Sequence, residues 1–315
     1  MSRARLLSLV DVARQRGLEI GPLNRPIVTR AMGPVEYIDR APRSELAAWY
    51  GAADVDPDEI VEVDHVWGDQ SLFDCVGGQR AYDYLIASHV IEHVPDVFGW
   101  LGEIATVLVD GGLGLFIVPD KRHTFDVLRP TSASGEFVDA HLRRLRRPDL
   151  RQIFNHVYEM RLLDGPQSLD EAARTERAQG ALAVCRQALE TQAYIDVHCW
   201  VFTPRSALEA LDLASRLGLL PYEIAALELA PGEFLLALRR LPEAMPADAQ
   251  RTAFLASVQR LDLPQEAPGA GSDDAAVLLA KAEVATARAA AIENSTTWKL
   301  TAPLRAAVDR VRRRA

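Results

Sequence analysis

Hydrophobic positions along the first 240 residues recur in two periods, which divide this part of the chain into alternating helices and strands. Residues 3–16 carry Leu6, Leu7, Val10 and Ala13 at helical spacing, and Gly17 stands where such a helix should stop. Gly17 to Pro22 reads as a short buried strand entering a turn, and Val35 to Ile38 as a second strand closed by Asp39. Ser44 is placed to cap a helix starting at Glu45 that would carry Leu46 and Trp49 inward. Ile60 to Val66 alternates as a third strand, and Tyr82 to Ala87 forms a fourth. Val90 to His93 turns toward a helix restarting near Val97 and running to Val109. The Asp110-Gly111-Gly112 turn then leads into a fifth, apolar strand at Leu113 to Val118.

Residues 121–195 break this rhythm. They are rich in Arg, Asp and Glu, with helical segments near 134–147, 149–160 and 168–193. An insertion of that length in an alternating α/β chain is usually a lid or a substrate-binding cap. The sheet pattern returns at Trp200 to Thr203, followed by a helix from Ser206 to Leu217 and strands at Tyr222 to Glu228 and Glu233 to Arg239. Gly232 suits a tight antiparallel hairpin between the last two. The expected fold is α/β, a mostly parallel seven-stranded sheet with helices on both faces, a helical insertion before the last strands and a C-terminal helical tail. The main domain would span 1–241, with a linker over 242–273 that holds one short helix at 247–260. An Ala-rich helix and a basic amphipathic tail would fill 274–315.

A hydrophobic content of 49% over 315 residues is ample for one large core, and 25% charged residues is ordinary for a soluble chain. The net charge of −9 argues against nucleic acid as a partner of the main body. The end of the chain is different: Lys299, Arg305, Arg310, Arg312, Arg313 and Arg314 face the single acid Asp309. Beside them Trp298, Leu300, Leu304, Val308 and Val311 make one apolar helical stripe. Such a tail suits an anionic membrane surface or a partner protein, a frayed terminus being the plain alternative. Cys75, Cys185 and Cys199 are too widely spaced to share a metal and read as thiols of a reducing compartment. With no signal-peptide pattern and no run of ~18 apolar residues, the expected location is cytoplasmic, at the inner face of the membrane where the tail docks.

Chemistry concentrates at the predicted strand ends. Glu19 and Gly21 close the first strand, Asp39 the second, Asp69 follows the third, and Ser88, His89 and His93 follow the fourth, at the carboxyl edge where open α/β sheets place ligands. Glycine at such a turn lets backbone approach a ligand closely. Each also has an ordinary role open to it, as a strand-end cap or an Asx-turn. His89, Glu92 and His93 have metal-ligand spacing, but the sequence places no third anchoring group, so no metal is expected.

Glu19-Ile-Gly21-Pro-Leu-Asn24-Arg-Pro resembles the first motif of class I S-adenosylmethionine (SAM)-dependent methyltransferases, and Ala87-Ser88-His89-Val-Ile91-Glu92-His93-Val-Pro95-Asp96 resembles their segment after strand four. The resemblance implies a Rossmann-like fold, SAM as cofactor, and Glu19, Gly21, Asp39, Asp69, Ser88, His89 and His93 as cofactor-binding positions, Asp39 on the ribose hydroxyls. The motif's second glycine is missing, because Pro22 and Leu23 follow Gly21. Two further stretches, Pro119-Asp120-Lys121-Arg122-His123-Thr-Phe125-Asp126-Val-Leu-Arg129-Pro130 and His198-Cys-Trp200-Val-Phe202-Thr-Pro204, resemble a subgroup of bacterial surface-polysaccharide proteins. The tail Asn294–Arg305 is similar to a segment of glycan-assembly enzymes. This implies O-methylation of a sugar hydroxyl, with a glycan or glycan precursor as acceptor. A histidine is the natural base for that transfer, His198 first, His123 second and His156 third. The rival readings are a non-catalytic scaffold of the same fold and a methyltransferase for a small molecule or protein.

Overall fold

The computed structural model describes residues 2–50, 55–160 and 171–261. Within them, β1 (Gly17–Ile20), β2 (Val35–Asp39), β3 (His65–Val66), β4 (Tyr82–Ser88), β5 (Leu108–Pro119), β6 (Tyr222–Ala230) and β7 (Glu233–Arg240) form one sheet. Its order is β3-β2-β1-β4-β5-β7-β6. Every pairing is parallel except the two made by β7. The β6–β7 hairpin turns at Gly232, whose φ of +80° favours glycine. The seven-stranded, mostly parallel sheet is thus the one the hydrophobic pattern predicts.

Register brings the strand ends level. Ile20 pairs with both Ile38 and Ala87, so the residues that follow them open onto one edge. Along β5, Leu113, Leu115 and Ile117 join Tyr84, Ile86 and Leu6 in one cluster, Leu6 coming from α1 (Ser2–Leu7). Phe116 points the opposite way, to Trp100 of α4 (Val97–Val107), the helix that follows the one-turn α3 (Leu72–Cys75), with ring centroids 5.6 Å apart. Helices therefore cover both faces. The insertion forms α5 (Ser134–Arg143), α6 (Leu150–Glu159) and α7 (Glu171–Thr191), close to the predicted helices. Asp149 and Gln152 cap α6 reciprocally, each side chain binding the other's backbone amide.

Several expectations are corrected. The first helix ends at Leu7, well short of Gly17, which begins β1 as the strand reading expects. A Cβ at Gly17 would lie 2.1 Å from the Tyr84 ring, so close approach of that ring explains the glycine. The third strand shrinks to two residues. The helix after Asp96 stops at Val107, and Asp110-Gly111-Gly112 is an irregularity inside β5, not a turn before it. In α2 (Arg43–Tyr50) Leu46 is buried but Trp49 is 54% exposed, and Ser44 lies inside the helix. Trp200 to Phe202 is buried and Thr203 half-buried, yet the segment joins no strand. Its backbone bonds to loops instead: the Trp200 amide donates to Glu92 O, and the Val201 amide to Ser132 Oγ.

The helix predicted for Ser206 to Leu217 is α8 (Pro204–Arg216). The short helix expected inside a linker is α9 (Ala247–Gln259), and it packs on the body. Phe254 is fully buried, and Ser257 Oγ accepts the Ile224 amide of β6 at 2.9 Å. A compact unit accordingly runs through Leu261. The expected Ala-rich helix and basic tail over 274–315 lie outside the described residues. Among the described residues no helix is long and apolar enough to cross a membrane.

Candidate active site

The carboxyl ends of β1, β2 and β4 open into a cavity of about 1070 Å³. Ile20, Gly21, Leu23 and Asp39 form its floor, and His89, Val90 and His93 one side. The insertion supplies another wall, through His141 of α5, through Arg144, Leu145 and Arg146 after it, and through Ala193, Tyr194 and Asp196 after α7.

The glycine turn survives its missing second glycine. Gly21 has φ +64°, donates its amide to Ile38 O at 2.9 Å, and would press a Cβ to 3.1 Å from Val90. Two residues on, Leu23 itself adopts φ +45°, a backbone conformation that L-residues enter at a cost. The leucine thus holds the left-handed geometry that glycine would adopt freely, and its side chain packs toward Leu46 and Ile60.

Asp39 faces the cavity from the end of β2. Its carboxylate accepts the Arg40 amide at 2.7 Å. Burial pushes its pKa up to about 6, the Arg40 amide opposes this, and nearby Asp196 adds to it. A desolvated carboxylate with acceptor capacity to spare suits a pair of ribose hydroxyls. Arg40 lies over the Tyr194 ring, 3.8 Å from its centroid, tying this floor to the insertion.

Not every predicted position reaches the cavity. Glu19 is 2% exposed and accepts the amides of Ile27 at 2.6 Å and Val28 at 3.0 Å. Burial lifts its carboxyl to about 7 against those two bonds. It holds the loop after the glycine turn and does not line the cavity. Asp69 turns away to Arg147 at 2.6 Å and Arg40 at 3.3 Å, although Gly68 and Gln70 on either side line the edge. Ser88 ends β4 without lining the cavity, whereas His89, at φ +54°, and His93 do line it. His123 is exposed in a single turn over Lys121–His123, with its Cβ 3.9 Å from the position a side chain at Gly232 would take, and it is absent from the cavity wall.

His198 is buried directly behind His93, the two rings meeting edge-on with centroids 4.7 Å apart. Its Nδ1 lies 2.5 Å from Asp126 Oδ2, and Arg129 grips the other oxygen of Asp126 at 2.7 Å. Burial alone would raise the Asp126 carboxyl, but His198 and Arg129 hold it below its ordinary value. The arrangement repeats at His93, whose Nδ1 is 2.9 Å from Asp196. In both cases an ionised carboxylate accepts a hydrogen bond from Nδ1–H, which leaves Nε2 as the ring nitrogen without a protein partner among the described residues. His156 serves another purpose. Its Nδ1 accepts the His198 amide at 3.1 Å, and burial lowers its pKa to about 4, so it stays neutral.

Sequence reasoning missed Asp126, Asp196, Tyr194 and the role of Glu92. Asp126 lay within a stretch already singled out, Pro119 to Pro130, and a carboxylate there was open to notice. Asp196 and Tyr194 fall where the periodic pattern is broken, and only the path of the chain after α7 brings them to the site.

A mostly parallel sheet with an antiparallel last strand, and a glycine turn and a carboxylate at its carboxyl edge, are the features that the sequence resemblance to class I SAM-dependent methyltransferases implies. Residues 2–157 match the family described as a methyltransferase domain. Comparison with curated proteins gives no match. Among solved structures, the chain is similar to an S-adenosylmethionine-dependent methyltransferase from Mesorhizobium loti at 15% identity and TM-score 0.37, covering 75% of this chain and 96% of that one. It is similar to another from Methanosarcina mazei at 13% identity and TM-score 0.37, covering 76% and 98%.

Proposed function

We propose that this enzyme transfers a methyl group from SAM to an oxygen, namely a hydroxyl of a sugar in a surface glycan or its precursor. SAM, when bound, supplies a methyl group on a sulfonium that an oxygen nucleophile can attack. The protein's residues fit that cofactor: Asp39 would take the ribose hydroxyls, and the Gly21 turn leaves room for a ligand to approach the backbone. At about 1070 Å³ the cavity exceeds the roughly 300–1,000 Å³ typical of a single-ligand pocket, which supports room for a second reactant. Tyr50, Tyr194, His141 and Arg144 line it and offer the aromatic faces and hydrogen-bonding groups a sugar can use.

The observation that carries the reading is the clamped imidazole of His198. A hydroxyl attacks well only as its proton leaves, and a positioned base contributes about 10²–10⁴-fold. Asp126 binds Nδ1 of His198, which leaves Nε2 as the ring nitrogen able to take the acceptor's proton, while His198 itself stands behind His93 and not on the cavity wall. Glu92, buried beside His93 and His198, places a further carboxyl group at the same corner. The scaffold reading rested on the Gly-Pro-Leu turn, and that turn keeps its left-handed backbone at Leu23. The test is transfer of labelled methyl from SAM to sugar-nucleotide and oligosaccharide acceptors. Labelled sugar that requires His198 supports the proposal, and methylation confined to peptides or non-sugar hydroxyls overturns the acceptor class.

A further inference from the structure

The sequence paired Glu92 with His93 and stopped there for want of another ligand. The fold supplies it: Glu92, His93 and His198 each present a ligand atom, all within 4.8 Å of one another. Glu92 is 1% exposed, and among the described residues neither carboxylate oxygen has a hydrogen-bond partner. Its nearest cationic groups are His89 Nδ1 at 3.6 Å and His93 Nε2 at 3.9 Å, both beyond hydrogen-bond reach. A desolvated carboxylate without partners is costly, and a protein retains one where a cation completes it.

The surroundings match a cation site in a second, independent way. Asp196 holds Nδ1 of His93 and Asp126 holds Nδ1 of His198, so each imidazole has its Nε2 left for a ligand bond. A carboxylate behind each ligating histidine is the usual outer layer of a metal site, where it fixes the tautomer and raises ligand basicity. Arg129 in turn steadies Asp126. None of these groups contacts another element that would compete for the two Nε2 positions among the hydrogen bonds described.

We propose that Glu92, His93 and His198 bind one divalent transition-metal ion, with Asp196 and Asp126 as its outer carboxylates. Two imidazoles and one carboxylate favour zinc, manganese or iron(II) over magnesium or calcium, which prefer all-oxygen sites. Three protein ligands leave positions open, and His93 places the site at the cavity wall. An acceptor hydroxyl bound there would be more acidic and would give up its proton to solvent in the open cavity as the methyl is transferred. With the ion bound His198 would serve as a ligand, and the base role assigned to it above would belong to the metal-free protein. This deepens the O-methylation reading and rests on it only for the role of the ion, not for its binding.

The test uses the full-length protein, stripped with chelator and titrated with Mn²⁺ while the signal of free Mn²⁺ is followed by electron paramagnetic resonance, with Zn²⁺ as competitor. The wild type should take up one equivalent that Zn²⁺ displaces. Glu92→Gln and His198→Gln should each lose it, and Asp126→Asn should weaken it by about 10–100-fold. His123→Gln, exposed and outside the cluster, should bind as the wild type does. Because wild-type protein alone reports the stoichiometry, a variant that fails to fold does not blunt the test. No bound equivalent, or equal binding by folded Glu92→Gln, overturns the site. Binding of S-adenosylhomocysteine by the same metal-free protein, read by calorimetry, reports the cofactor reading separately, so the two can fail independently.

Discussion

Asp126 and His198, 72 positions apart in the chain, meet with a carboxylate oxygen 2.5 Å from the imidazole Nδ1, and Arg129 completes the contact from the far side of Asp126. The long connection between them is the insertion, whose helices bring the His198 segment back to Asp126. The proposed base and one wall of the cavity are thereby built from one stretch of chain.

Removal of this imidazole should slow the chemical step and spare the cofactor. His198→Ala is expected to lower kcat by about 10²–10⁴-fold, with the affinity for S-adenosylhomocysteine within a few-fold of wild type. Asp126→Asn, which keeps the shape and loses the charge that fixes the tautomer, should fall between the two. Steady-state kinetics with any working acceptor decide it, and an unchanged kcat in His198→Ala would remove the residue from the mechanism.

Asp39 gives the cofactor site a pH dependence of definite sign. Its folded-state value of about 6 means that it is ionised above pH 6 and protonated below. Only the carboxylate accepts from both ribose hydroxyls, so affinity for S-adenosylhomocysteine should hold from pH 8 to 7 and fall as pH drops through 6. The limiting slope is about tenfold per pH unit, from a single proton. Calorimetry across this range on wild type and Asp39→Asn separates the cause: the variant should bind weakly at every pH. A wild-type affinity constant down to pH 5 would show that Asp39 does not hold the ribose.

Leu23 carries backbone strain that a β-branched residue tolerates worse than leucine does. Leu23→Ile conserves apolar volume and should cost about 1–2 kcal/mol in stability through the positive φ alone. Thermal or urea unfolding measures it. An unchanged transition would mean that the turn relaxes to another conformation.

Much of the fold was legible because a parallel sheet buries its strands on both faces, and the resulting apolar runs at Tyr82 to Ala87 and Leu113 to Val118 stand out from their polar surroundings. Trp200 to Thr203 looked like another such run for the same reason. It is equally apolar, and Trp200 to Phe202 are equally buried, but its backbone is satisfied by loops, which hydrophobicity does not record. Gly21, Asp39, His89 and His93 line the cavity, at strand ends and a glycine turn that leave local signals in the sequence. Glu19 and Asp69 sat at equally suggestive positions and were spent on holding loops, since a carboxylate pairs with whichever amide or guanidinium the fold brings nearest. The His198–Asp126 and His93–Asp196 pairs join residues from distant segments, and no local pattern announces them.

The boundary after residue 241 is another case where composition misled. Proline and polar residues there suggested a linker, yet Phe254 is fully buried against the body. Phe254→Ala should destabilise the domain by about 3–5 kcal/mol, lowering the denaturant midpoint with an unchanged slope. A loss below about 1 kcal/mol would make α9 an appendage.

The central claim is that the carboxyl-edge cavity binds SAM through the Gly21 turn and Asp39. Calorimetric titration of the full-length protein with SAM and with S-adenosylhomocysteine, beside Asp39→Ala, tests it most directly. Saturable binding of one equivalent, weakened about tenfold or more by the substitution, is the predicted result. No heat and no thermal shift at millimolar ligand, or equal affinity in the variant, would contradict it.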